Sequence, residues 1–161
     1  MMETTKRITH YLAKQLQSVS GVNAVLGDRR QNSNSGPEDV RLITTQNIAP
    51  ELMERANQAL YPSILVYCEK LSNTLHEKFR TFAGTARLTV ELRNSDDRLE
   101  TLDSTLEYAD VICDVLNGLR GEWTDGVFYA GGYEVNYSAV KTGGKHFVQV
   151  AKVTFEVSVS K

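Results

Sequence analysis

The chain has no apolar run approaching the roughly 18 residues that a membrane-spanning helix requires, which on sequence grounds excludes a helical membrane protein. Its first residues, Met1 to Arg7, carry no apolar signal-peptide core, so export by that route is not expected. A dominant charge sign is missing as well. The formal net charge is −2, without the basic patch that marks a nucleic-acid binder and without like-charged blocks suggesting a binding tail. Cysteine is reduced to Cys68 and Cys113. Both stand in apolar surroundings and are expected to be reduced core thiols, because free Cys is among the most buried residue types. Neither has the electropositive, accessible setting of a reactive thiol.

Signatures of chemistry are equally scarce. The histidines His10, His76 and His146 are isolated, and none has a second ligand at metal-site spacing. There is no Gly-x-Ser-x-Gly elbow. The glycine pairs lack the residues of a phosphate loop or a dinucleotide fingerprint and are expected to form turns. Asp96-Asp97 is better explained by helix capping than as an acid/base dyad. The expectation is therefore a chain with no catalytic residues, no cofactor and no metal site.

What is present is patterning. At 161 residues with 41% hydrophobic content, the chain suits one domain spanning 1–161 with a core of its own. Over residues 5–19, Ile8, Tyr11, Leu12, Leu16 and Val19 recur every three or four positions, which predicts a helix closed near Gly21. A short strand is expected at 22–26 from the alternation of Val22, Ala24 and Leu26. The polar, turn-forming run Gln31 to Pro37 predicts a mobile excursion over 29–39. With a short strand at 40–43, it makes an arm reaching about residue 47.

A short helix is expected from Pro50 to about Leu60, broken by Tyr61-Pro62. The strand at 63–68 is apolar on both faces, as in a covered sheet. The strand at about 82–94 alternates strictly: Leu88, Val90 and Leu92 point one way, and Arg87, Thr89, Glu91 and Arg93 the other. A long amphipathic helix follows to about Leu119, opened by Asp96 and Asp97. Its apolar stripe includes Leu99, Leu102, Leu106, Ala109, Cys113 and Leu116. From Trp123 onward the pattern is β, with two long strands turning at 141–145. The apolar phase switches between Val150 and Val153, which predicts a bulge or bend.

The fold class expected is α+β: a mixed, largely antiparallel sheet, a long amphipathic helix and an N-terminal helix mainly on one face, and a long C-terminal β-hairpin. Charged and polar residues set apart from this apolar pattern are the candidates for subunit or partner contacts. They are Arg29, Arg30 and Asn34 in the excursion, and Arg87, Glu91 and Arg93 on the outer strand face. Glu100, Asp103, Glu107, Asp110 and Asp114 form an acidic stripe that suits either solvent or a basic surface of a neighbouring subunit. Trp123, the only tryptophan, is expected as a core or boundary anchor, although interfaces favour Trp too.

The order of N-terminal helix, long loop, "YPSILVYCEK", "ARLTVELRN", amphipathic helix and "GGYEVNYSAVKTGGKHFVQVAKVTFEV" resembles the small neck proteins of tailed bacteriophages. The resemblance covers nearly the whole chain and is strongest to tail terminator or tail-completion proteins. It implies a non-enzymatic virion protein, made in the host bacterial cytoplasm, whose subunits form a hexameric ring capping the tail tube. The implied partners are further copies of the chain, the tail tube protein and the head-tail connector or stopper. DNA would pass through the lumen without sequence-specific binding, and no membrane is involved. The alternatives are a connector or stopper protein of the same neck, a small-molecule-binding domain with a pocket near Tyr129, Tyr133 and Tyr137, or a regulatory partner of toxin–antitoxin type.

Overall fold

The computed structural model describes residues 2–49, 52–53, 60–74, 79–143 and 146–161. Helix α1 (Met2–Gln17) forms where the three-four spacing predicts it, with Ile8, Leu12 and Leu16 buried and Tyr11 half-buried. Val19 lies beyond its end and is 98% exposed, so the apolar face stops one turn short of the expectation. The chain then reverses tightly at Gly21, where an added Cβ would stand 2.2 Å from the Leu16 carbonyl oxygen.

Residues 22–26 are not a strand. They open helix α2 (Val22–Ser33). Val22 and Leu26 lie two alternations apart but also four residues apart, and a run this short cannot distinguish the two periods. Packing decides: both side chains are buried in the common core with α1.

Residues 29–47 do not form the expected hairpin arm. Helix α2 continues to Ser33, and Asn34 closes it in the left-handed conformation at φ 56°. Arg30 ties the next segment back, donating to the Pro37 carbonyl at 2.7 Å and to Asp39 at 2.6 Å. The Val40 N–H donates to Asn23 Oδ1 and its carbonyl accepts from Asn23 Nδ2, at 2.8 and 3.1 Å. Strand β1 (Leu42–Thr44) then pairs in parallel with β2 (Ser63–Asn73), so it joins the sheet and makes no hairpin arm. Of the helix expected over 50–60, Leu52 and Met53 form a turn by donating to the Ala49 carbonyl; its other residues, Leu60 apart, lie outside the described set.

The sheet is mixed and curled. Strand β3 (Ala83–Asp96) lies antiparallel between β2 and β8 (His146–Ser160). Beyond β8 come β5 (Val127–Tyr129) and β4 (Gly121–Thr124), while β6 (Glu134–Tyr137) and β7 (Lys141–Gly143) both pair with β8. Register places Leu88 beside Phe155, Val90 beside Val66 and Val153, and Leu92 beside Ile64 and Ala151. These side chains share one sheet face and one core with α1, α2 and α3 (Ser104–Asn117).

The expected long helix begins late. Strand β3 runs through Asp96, so Asp96 and Asp97 end a strand instead of opening a helix, and a 3-10 turn (Glu100–Asp103) precedes α3. That turn changes the angular phase, since it winds three residues per turn rather than 3.6. Leu99, ahead of that turn, is consequently 56% exposed; Leu106, at the margin of the face on which Tyr108, Ala109, Ile112, Cys113 and Leu116 are buried, is 56% exposed too.

In β8 the apolar phase does switch, yet the pairing with β3 is unbroken from Ala83↔Ser160 to Asp96↔Phe147. The irregularity sits in the facing strand instead. The β6 and β7 registers differ by one residue across 138–140, where the Ser138 side chain accepts from the Val150 N–H at 3.0 Å. Among the described residues no helix is long and apolar enough to cross a membrane.

Candidate functional site

The sheet face turned away from the three helices carries the charged residues of β3. Alternation alone predicts that Arg87, Thr89, Glu91 and Arg93 share it, and register brings Tyr67 beside Thr89, Lys152 beside Glu91 and Ser63 beside Arg93. The expectation of a uniformly open charged face is corrected. Arg87 is half-exposed, but Glu91 is 5% and Arg93 3% exposed. Alternation says which residues share a face and not what covers it. Here the buried Met53 lies over the pair, its Sδ 3.3 Å from Arg93 Nη1.

Glu91 is the hub. Arg93 Nε donates to its Oε2 at 2.6 Å, Tyr67 Oη donates to Oε1 at 2.9 Å, and Lys152 Nζ lies 3.5 Å from Oε1. One step along the strand, Thr89 donates to Glu69 at 2.7 Å, with Arg87 3.5 Å from the same carboxylate. Ser63 Oγ is buried and has no hydrogen-bond partner among the described residues. With both Glu91 oxygens already accepting, the arrangement holds three strands in register.

Burial, reinforced by the charge of Glu91 and the hydrogen bond to it, pushes the Tyr67 hydroxyl far above the ordinary tyrosine value. On the helix side, burial and the charge of Glu38 push Tyr108 up to about 12. The unfolded chain begins to lose these protons near pH ~10, while the folded chain retains them. Their stabilisation is therefore complete below about pH 10 and is lost as pH rises through the folded values. Urea midpoints should fall between about pH 10 and 12, and less steeply in Tyr67→Phe. Equal slopes in the two proteins would remove Tyr67 from this account.

The other candidates divide between internal ties and open surface. Arg29 reaches from α2 to Asp110 and Asp114 of α3, at 2.8 and 2.5 Å, and Arg30 is held by Pro37 and Asp39. Asn34 caps α2. Trp123 belongs to the core: it stacks on Tyr11 with centroids 5.4 Å apart, meets Tyr129 and Phe155 edge-on, and donates to the Leu119 carbonyl at 2.7 Å. Glu100 lies in the 3-10 turn, and its side chain is outside the described set. Asp103, at the end of the 3-10 turn, and Glu107 on α3 remain exposed, with no ion-pair partner among the described residues.

Two surfaces were not legible in the sequence. The outward stripe of α1 (Glu3, Lys6, Arg7, His10, Lys14 and Gln17) is exposed and predominantly basic. Across the sheet, Phe128 is 50% exposed beside an open hollow of about 340 Å³, lined also by Glu122, Gly126, Val127, Ser158 and Ser160. The three tyrosines named for a pocket, Tyr129, Tyr133 and Tyr137, lie in different settings. Tyr129 fills the core against Trp123 and Phe155, while Tyr133 and Tyr137 are 39% and 46% exposed.

Both cysteines are free, and burial raises both thiols above their ordinary value, keeping them protonated at neutral pH. His10 and His146 are exposed, and His76 lies outside the described residues. No described group of His, Cys, Asp and Glu has the arrangement of a metal site.

No protein-family model matches the chain, and no curated protein matches it.

Proposed function

We propose that the protein is a non-enzymatic structural component of the neck of a tailed bacteriophage, a tail terminator whose subunits ring the end of the tail tube. The observation that carries this reading is the placement of its exposed apolar side chains. Among them, Leu106 stands on α3, and Phe128 stands on the opposite side of the sheet, where it pairs with Ser158 between the core residues Val157 and Val159. A self-complementary dimer uses one patch on both subunits, whereas a head-to-tail ring needs two different patches on each. Exposed apolar side chains on two different faces suit the second arrangement. The well-formed core and the internal clamp at Glu91 supply the rigid subunit that such a ring requires.

In the virion the ring would end tube growth and offer its other face to the head-tail connector, with DNA passing through the lumen. Negative-stain electron microscopy and native mass measurement, with and without tail tube protein, test this. Hexameric rings that bind tube ends are the expected result. A chain that remains monomeric and binds neither tube nor connector overturns the proposal, and binding to the connector alone would reassign it as a stopper.

A further inference from the structure

The outward stripes of α1 and α3 have the same spacing and opposite charge. On α1, Lys6, His10 and Lys14 are exposed with no ion-pair partner among the described residues, and Arg7 makes only contacts at 3.5 Å with Thr124 and Asp125. On α3, Glu107, Asp110 and Asp114 occupy positions three and four residues apart, as Arg7, His10 and Lys14 do on α1, and Asp103 stands just ahead of α3 at the end of the 3-10 turn. A single arginine, Arg29, is shared between Asp110 and Asp114, which leaves the stripe acidic. Leu106, 56% exposed, sits between Asp103 and Glu107 and provides an apolar centre within the charged rim.

We infer that α3 of one subunit docks against α1 of a second copy of this chain, with the acidic stripe from Asp103 to Asp114 facing the basic stripe of Lys6, Arg7 and Lys14 around a buried Leu106. Charge complementarity selects the occupant. The acidic stripe calls for a basic helix of matching period, and the chain itself presents one. An apolar centre with a charged rim is the anatomy expected of a protein interface. The two stripes lie on different helices separated by α2, which packs against both, so each subunit donates one and accepts the other. Where the second copy does not return the same contact, the interface is heterologous and propagates head to tail until it closes. This contact rests on the ring reading above and gives it a specific interface.

The test is a charge swap followed by size-exclusion chromatography with light scattering. Lys6→Glu/Lys14→Glu and Asp103→Lys/Glu107→Lys each place like charges together, and each should weaken association roughly a hundredfold. Mixing the two variants in equal amounts restores opposite charges at every contact, so assembly should recover in the mixture alone. Raising ionic strength should weaken the wild type, since exposed pairs are screened over about 10 Å at 0.1 M salt. All four positions are exposed, so circular dichroism should show folded proteins. If a reversal fails to fold, Lys6→Gln/Lys14→Gln replaces it, with about a tenfold weakening expected. An assembled wild type that tolerates either reversal, or a mixture that does not recover, overturns this contact and leaves the ring reading intact. A wild type that never assembles overturns both.

Discussion

Arg93→Ala should destabilise the folded chain by about 3–5 kcal/mol, the cost of stripping one partner from a buried ion pair. Glu91 would keep its charge in a site where its side chain is only 7% exposed, with Tyr67 and Lys152 as its remaining donors. The attraction between Arg93 and Glu91 does not by itself set the loss. It comes mainly from leaving a carboxylate desolvated and undercompensated. A double replacement, Glu91→Leu with Arg93→Leu, should therefore recover much of the stability, because a hydrophobic substitute of similar volume is often neutral. Arg87→Ala serves as the control. Its pair with Glu69, at 3.5 Å between half-exposed side chains, should be worth no more than about 0.5–1 kcal/mol. Urea denaturation at neutral pH measures all three. A loss at Arg93 as small as that at Arg87 would mean that water reaches the pair.

Trp123→Ala should cost a similar amount, about 3–5 kcal/mol, as large aromatic deletions in cores do. Trp123 joins Tyr11 of α1, Tyr129 of β5 and Phe155 of β8, so its removal unfastens the N-terminal helix from the far part of the sheet. It also removes the donor to the Leu119 carbonyl. Trp123→Phe should cost less, since it retains most of the apolar volume and loses only that hydrogen bond. As the sole tryptophan, its fluorescence reports directly: blue-shifted emission in the folded chain and a red shift on unfolding. The same loss should appear at every protein concentration. Unchanged stability combined with impaired association would move Trp123 from the core to an interface.

Local periodicity carried well where an element is long and packs in one phase. Ile8, Leu12 and Leu16 announce α1, and Leu88, Val90 and Leu92 announce the buried face of β3, because a single face of each meets the core. It failed where a short run fits two periods, as at Val22 to Leu26, where a 3-10 turn resets the phase, as at Leu99, and at the margin of a buried helix face, as at Leu106. The polar run Gln31 to Pro37 read as mobile because composition does not register long-range ties. Arg30 and Asn23 supply them, to Pro37 and Asp39 and to Val40.

Candidate residues divided along the same line. Arg29, Asp110 and Asp114 looked like free surface charges because their partners lie more than eighty residues apart in the chain. Glu91 and Arg93 looked solvent-facing because alternation is blind to whatever covers a face.

The sequence alone determined the mixed α+β character, the N-terminal helix and which residues share each strand face, since these follow from the 3.6 and 2.0 periods of local backbone geometry. Only the tertiary structure decided the parallel pairing of β1, the burial of the Glu91–Arg93 pair and which charged stripes remain unpartnered. Those depend on contacts between residues distant in the chain, whose energies no local pattern encodes.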